Sequence, residues 1–374
     1  MFTELKLKDF MVFRKADFQF GEKLNIIIGE NGSGKTQLLK LLFALDKIVN
    51  SGIRLRLTGT RGYIDYRTDE HPKQDEVNGP LKNIFKVSQT CDLIHFQEKN
   101  SKSAEYASIT ARFHDADKSF GFEIEIGKGN GDEFSYDTSG TTFLKRLADD
   151  CDCDCRSETL FFQARELLTI YKGYRSLNDR YDLPYDQSYS DTISKLGMPY
   201  LREIPTEYQK ITNELGKAIK GKIYLENEQF RFRLEGMEKG KHDLDVNMAA
   251  EGWRKLAMLL QVLKNGELHK GMTLLWDEPD ANLNPKLVCL LVNILIQLSK
   301  LGVQVFVTTH SLFMLRELDM LVKSEKSFAQ GDVRFFNFPG KGNVEQGNSV
   351  EDLEKILLLE ESLKQSDKYL EGDF

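Results

Sequence analysis

The sequence predicts an α/β protein with a mixed central sheet, an antiparallel β subdomain and a helical insertion. Three observations carry this. Continuous apolar runs at Leu24–Ile28, Met272–Trp276 and "VQVFVTT" read as strands buried on both faces, and the first two each lead into a helical pattern. Short alternating runs fill residues 1–20 and recur between 52 and 135. From Ala164 to about Lys222 the chain is rich in helix formers and tyrosines.

Taken in order, "FTELKLKDFMVFRKADFQF" alternates as two short strands joined by a turn. The run at 24–28 is a buried strand, and the leucines at 38, 39, 41 and 42 face a core from the helix that follows Lys35. "IRLRL", "LIHFQ", "ASITARFH" and "FGFEIEIG" suggest a small antiparallel sheet, with 73–80 as a loop. "TLFFQ" is a short apolar strand, and the helical insertion turns near "KGYRS" and "RYDLPYDQ". "KIYLENEQFRFRLEG" suggests a hairpin. "GWRKLAMLLQVLKNG" is an amphipathic helix with Gly266 at its C-terminal cap, and "NPKLVCLLVNILIQLSKLG" is a helix with proline near its start. The expected organisation is an N-terminal lobe over 1–160, the insertion over 161–245, a C-terminal lobe over 246–340 and an acidic helical tail over 341–374.

Composition narrows the function classes. With 40% hydrophobic and 29% charged residues the chain reads as globular, and its net charge of −7 provides no global field for nucleic acid. No apolar run approaches the roughly 20 residues that span a bilayer, and Met1–Phe10 lacks a secretory core, so a cytoplasmic protein away from membranes is expected. Cys151, Cys153 and Cys155 alternate in "CDCDC". That spacing departs from the usual zinc ligand spacing and reads as an acidic loop rather than a metal site.

Two stretches carry chemistry. Gly29, Glu30, Asn31, Gly32, Ser33, Gly34, Lys35 and Thr36 match G-x-x-x-x-G-K-[ST] between a strand and a helix. Backbone N–H groups in such a loop curl around an anion, and the helix N-terminus adds unpaired donors. Lys35 would reach the β- and γ-phosphates and Thr36 would hold Mg²⁺, so the stretch is expected to bind a nucleoside triphosphate. The strand at 272–276 ends in Asp277 and Glu278, placing a Mg²⁺ ligand and a general base at a strand's C-terminal edge. His310 ends a later strand and would sense the γ-phosphate.

The order of glycine loop, "AAEGWRKLAML", "LLWDEPDANLNP" and "VTTHS" resembles the ABC-type ATPases of the SMC and OLD-like group, over roughly residues 1–45 and 245–320. "LFFQARELLTIYKGYRSLNDR" resembles a subgroup linked to anti-phage modules. The resemblance implies ATP and Mg²⁺ as ligands. Gln163 would contact Mg²⁺ and the attacking water, with Gln97 as a rival. Residues Asp280 to Pro285 would cross a dimer interface, and Ala249–Trp253 would occupy the signature position that caps the γ-phosphate of the opposite subunit. Here Ala250 replaces the expected serine and Glu251 the first glycine, beside Gly252, which predicts weaker closure and slow turnover. The resemblance further implies a head-to-tail homodimer or larger homo-oligomer, acting on a separate effector, a nuclease. No nuclease motif follows "TTHS" in this chain. Lysines 217, 220, 222 and 241 could form a nucleic-acid face, and DNA repair or nucleotide sensing with little hydrolysis are the alternative functions.

Overall fold

The glycine loop is built from a six-residue strand that enters it and a long helix that leaves it. In the computed structural model, which describes residues 1–50, 75–95, 106–115, 118–127, 142–146, 158–181, 183–238 and 243–371, the chain forms two units. One comprises Met1–Thr159 with Lys326–Phe374, the other Leu160–Glu325. Cys151, Cys153, Cys155, Gln97 and "IRLRL" lie outside the described residues.

The first unit opens with β1 (Phe2–Phe10), β2 (Phe13–Gln19) and β3 (Leu24–Gly29), then α1 (Lys35–Asn50) and α2 (Asp75–Phe85). The strands β4 (Tyr106–Asp115), β5 (Lys118–Gly127) and β6 (Thr142–Arg146) follow. They complete an antiparallel sheet in the order β2-β1-β4-β5-β6, the predicted β subdomain. Alternation over the middle of β1 places Leu5 and Leu7 in the core, and Phe2, beyond a register shift, and Phe10, after Asp9 at positive φ, are buried as well. One expectation fails: the sequence predicts a loop over 73–80, but Asp75–Phe85 is helical with Pro80 inside it. Complete burial of Leu81 and Ile84 outweighs the proline's local penalty.

The second unit begins with β7 (Thr159–Phe162), then α3 (Tyr171–Arg180), α4 (Gln187–Leu196) and α5 (Thr206–Ala218). The turn expected at "KGYRS" appears instead as a kink at the start of α3, where Lys172 and Gly173 leave helical geometry. The predicted hairpin is β8 (Gly221–Glu226) with β9 (Gln229–Leu234), joined through Asn227 and Glu228 at positive φ, and β10 (Leu244–Asp245) adds to its edge. Next come α6 (Glu251–Lys264), β11 (Thr273–Trp276), α7 (Pro285–Lys300), β12 (Gln304–Thr309) and α8 (Leu312–Ser324). Strands β11 and β12 run parallel, in the order β12-β11-β7, and every residue of the three is buried, as their unbroken apolar runs require. Gly266 follows α6 at φ +81°, so the predicted cap holds.

The chain then returns to the first unit through β13 (Val333–Gly340), β14 (Asn343–Gly347) and α9 (Leu357–Glu371). The tail is therefore only partly helical, since β14 lies within 341–374. Strand β13 pairs in parallel with β3, from Val333 beside Leu24 to Phe338 beside Gly29, and antiparallel with β14. Phe13, Phe18, Phe20, Phe336 and Phe338 form one aromatic cluster of mostly edge-on and tilted contacts, two of its rings coming from β13. Phe13 and Phe10 are core residues, both fully buried.

Candidate functional site

Each predicted motif is positioned by the strand that precedes it. In the first unit β3 delivers the chain to Gly29, and α1 starts at Lys35. Lys35 Nζ donates to the carbonyls of Gly29 (2.8 Å) and Glu30 (2.7 Å), folding the lysine back over its own loop. Gly34 has φ +106°, and a Cβ there would lie 2.6 Å from Val12 Cγ2 and 2.8 Å from Phe13 Cζ. Only glycine lets the loop approach the β1–β2 turn this closely. Asn31, Gly32 and Thr36 are exposed, whereas Ser33 is buried and its hydroxyl has no partner. A curled loop with an unsatisfied hydroxyl and a lysine at its mouth fits a phosphate chain.

In the second unit the acids leave β11 and are clamped from β12. The Thr308 hydroxyl donates to Asp277 Oδ1 (2.6 Å) and accepts from the Glu278 N–H (2.9 Å), so one side chain fixes both acids. Thr309 Oγ1 donates to Asp280 Oδ1 (2.8 Å) and accepts from the Ser311 N–H (2.9 Å). Glu278 has φ +45°, an uncommon conformation for a residue with a side chain. Its carbonyl accepts from Lys255 Nζ at 3.1 Å, so both main-chain polar groups of Glu278 are tied. The Glu278 carboxylate meets His310 Nε2, and both side chains are about one-third exposed. Asp277 is buried.

Lys255 is fully buried on α6. Burial pushes its ammonium below the usual lysine range, while Glu251, Asp280, Glu278 and Asp277 pull the other way. Burial likewise raises the carboxyl of Asp280 above the usual range, opposed by the Thr309 hydrogen bond.

Gln163 directly follows β7 and is buried. Its Nε2 donates to Ser188 Oγ (2.6 Å), and its Oε1 has no partner. Because the Asp277 N–H donates to the Phe162 carbonyl (2.8 Å), Gln163 and Asp277 step off adjacent strand ends. A buried acceptor of this kind beside a carboxylate fits a hydrated divalent cation. No group of three or more His, Cys, Asp or Glu is arranged for a metal among the described residues. The predicted ligands Thr36, Gln163 and Asp277 are a hydroxyl, an amide and a single carboxylate, a set of another kind.

At the signature-like position, Ala250 is exposed and caps α6 without any side-chain hydrogen bond. The Ala250 carbonyl accepts from the Trp253 and Arg254 N–H groups. Gly252 touches the predicted interface loop: a Cβ there would lie 2.8 Å from Leu283 Cδ2 and 3.1 Å from the Asn282 carbonyl. The second unit thus brings together the signature-like helix start, the acid pair, His310 and the Asp280–Pro285 loop. Ala250→Ser should stabilise α6 by about 0.5–1 kcal/mol through a restored side-chain cap. That corresponds to a rise of about one to three degrees in the apo thermal midpoint, and a lowered midpoint would contradict the capping geometry.

Sequence reasoning passed over Thr308, Lys255, Ser188 and the Glu166–Arg254 ion pair (2.9 Å). Of these, Lys255 left a signal, since it falls on the apolar stripe of α6.

This architecture is a fold of the SMC-head type. It matches the SMC head bound to the C-winged helix domain of ScpA (TM-score 0.56, 16% identity, 94% of this chain and 98% of that one). It also matches the Smc head domain with an extended coiled coil bound to the C-terminal domain of ScpA derived from Pyrococcus furiosus (TM-score 0.51, 15% identity, 98% and 99%). The chain belongs to the AAA-domain family, whose model matches residues 4–239 of its 374. A further family model, described as "AAA domain, putative AbiEii toxin, Type IV TA system", matches residues 200–316. A stretch of 43 residues is 40% identical to the DNA replication and repair protein RecF of Bacillus thuringiensis (strain Al Hakam), and to that of Bacillus cereus (strain B4264). That match spans 12% of this chain and 12% of each RecF. No helix among the described residues is long and apolar enough to cross a membrane.

Proposed function

We propose that the protein binds ATP with Mg²⁺ and hydrolyses it slowly, and that ATP-dependent pairing of two copies regulates a separate effector, a nuclease, in a prokaryotic anti-phage defence module. The observation that carries the hydrolytic part is the Glu278–His310 contact, with Glu278 held at both main-chain groups. Glu278 accepts a proton from the attacking water, and His310, whose Nε2 meets that carboxylate, orients it until ATP binds and the same N–H turns to the γ-phosphate. Lys35 and the N–H groups of residues 29–36 bind the phosphates. In the second unit Asp277 and the Oε1 of Gln163 would hold the cation, and in the first unit the exposed Thr36 is a candidate ligand beside Lys35. Magnesium, when bound, supplies charge neutralisation to the phosphates.

Ala250 presents no hydroxyl and Glu251 adds a negative charge at the start of α6, which supports loose closure and slow turnover. The loop from Asp280 to Pro285 and the exposed Ala250 form the face offered to a second copy, and the isologous solution is a two-fold homodimer. ATP then binds the closed pair better than the open one and shifts the population. The family model described with the AbiEii toxin supports the defence setting. SMC heads bound to ScpA support a separate protein partner.

The RecF likeness favours a second reading, a DNA-repair ATPase. Exposed Lys217, Lys220 and Lys222 would then meet phosphate. Steady-state phosphate release with and without duplex DNA separates these. Slow turnover that DNA leaves unchanged supports the effector-regulating ATPase. Turnover stimulated by DNA supports repair. Tight ATP binding with no phosphate release would leave only a nucleotide-sensing scaffold.

A further inference from the structure

The side-chain amide of Gln163 is half satisfied, and the proton count around it explains which half. Ser188 Oγ donates to Asp186 Oδ1, and that carboxylate oxygen also accepts the Ser188 N–H (3.0 Å) as the N-terminal cap of α4. A serine hydroxyl carries one proton, and a carboxylate carries none to give. With its proton committed to Asp186, the Ser188 oxygen can only accept. The group facing it must be a donor, and Gln163 Nε2 fills that place at 2.6 Å. Turning the amide over would set two acceptors face to face. The oxygen of Gln163 is therefore the end left without a protein partner.

All members of this chain are buried: Asp186 is 4% exposed, Ser188 0% and Gln163 5%. The helix bearing Ser188 is also pinned to the strand that leads into Gln163, because the buried hydroxyl of Thr192 donates to the Phe161 carbonyl (2.7 Å). A buried acceptor without a partner is costly, and a ligand that completes it accounts for its retention. We propose that Ser188 and Asp186 are positioning residues that lock the Gln163 amide with its oxygen presented to the divalent cation and the water it carries. The inference rests on the reading above that Gln163 contacts that cation, and it adds what decides which atom does so.

The test is Mn²⁺ affinity, read by electron paramagnetic resonance with a non-hydrolysable ATP analogue, in the full chain. Four proteins are compared: wild type, Ser188→Ala, Gln163→Ala and the double variant. Ser188→Ala is expected to weaken Mn²⁺ binding about tenfold or more, as losing a ligand's supporting partner does. The double variant should bind Mn²⁺ no more weakly than Gln163→Ala alone, because Ser188 acts only through that amide. Affinity for the analogue without metal should not change. An equal loss from Ser188→Ala in both backgrounds overturns the inference. So does a loss with Gln163→Ala but none with Ser188→Ala, which leaves the cation role of Gln163 standing. No loss with Gln163→Ala overturns that role and the inference together. Should Ser188→Ala fail to fold, by its thermal midpoint, Ser188→Cys carries the same comparison, with near-equal volume and a weak acceptor.

Discussion

Replacing Glu278 by glutamine is expected to lower ATP turnover by roughly 10²–10⁴-fold while leaving nucleotide bound. The change keeps the volume and removes only the basicity. The main-chain ties of Glu278, its N–H to Thr308 and its carbonyl to Lys255, do not involve the side chain, so the strained backbone should persist. A glutamine oxygen can still accept from His310, which preserves the local geometry. If pairing follows ATP occupancy, the variant should also accumulate as an ATP-bound dimer, because the step that releases the pair is blocked. Light scattering coupled to gel filtration reads this directly. A Glu278→Gln protein that stays monomeric in saturating ATP would remove the dimer from the proposal. One that still releases phosphate at the wild-type rate would remove Glu278 as the base.

Lys35→Met should weaken binding of a non-hydrolysable ATP analogue by roughly tenfold to over a hundredfold, taking about 1.5–3 kcal/mol for a hydrogen bond to a charged group. Methionine retains most of the apolar stem, which matters because Lys35 is buried at the start of α1. The lost ammonium bridges the Gly29 and Glu30 carbonyls, so the apo thermal midpoint serves as the control for loop integrity. Isothermal titration gives the affinity. An unchanged dissociation constant alongside an unchanged midpoint would show that the loop does not grip the triphosphate through this lysine.

Much of the site could be read in one dimension because its chemistry is local. The glycine loop needs particular residue types at fixed spacing between a strand and a helix, and β3 and α1 supply both. Asp277, Glu278 and His310 mark the ends of buried strands, where an apolar run gives way to polar residues. What supports them was not legible. Thr308 and Thr309 read as ordinary strand threonines until β12 lies beside β11 and aims their hydroxyls at Asp277 and Asp280. Ser188 reads as a residue near a helix start until α4 meets β7.

The amino-acid sequence by itself determined the α/β class, the glycine loop, the acid pair and the absence of a serine at position 250, because each depends on residue type and near-neighbour spacing. Tertiary structure alone decided that β13 pairs with β3, some three hundred positions away, that Lys255 reaches the carbonyl of Glu278, and that the oxygen of Gln163 is the end left open. Such contacts join segments whose periodicity carries no record of a partner. They are selected by burial and hydrogen-bond satisfaction across the whole chain.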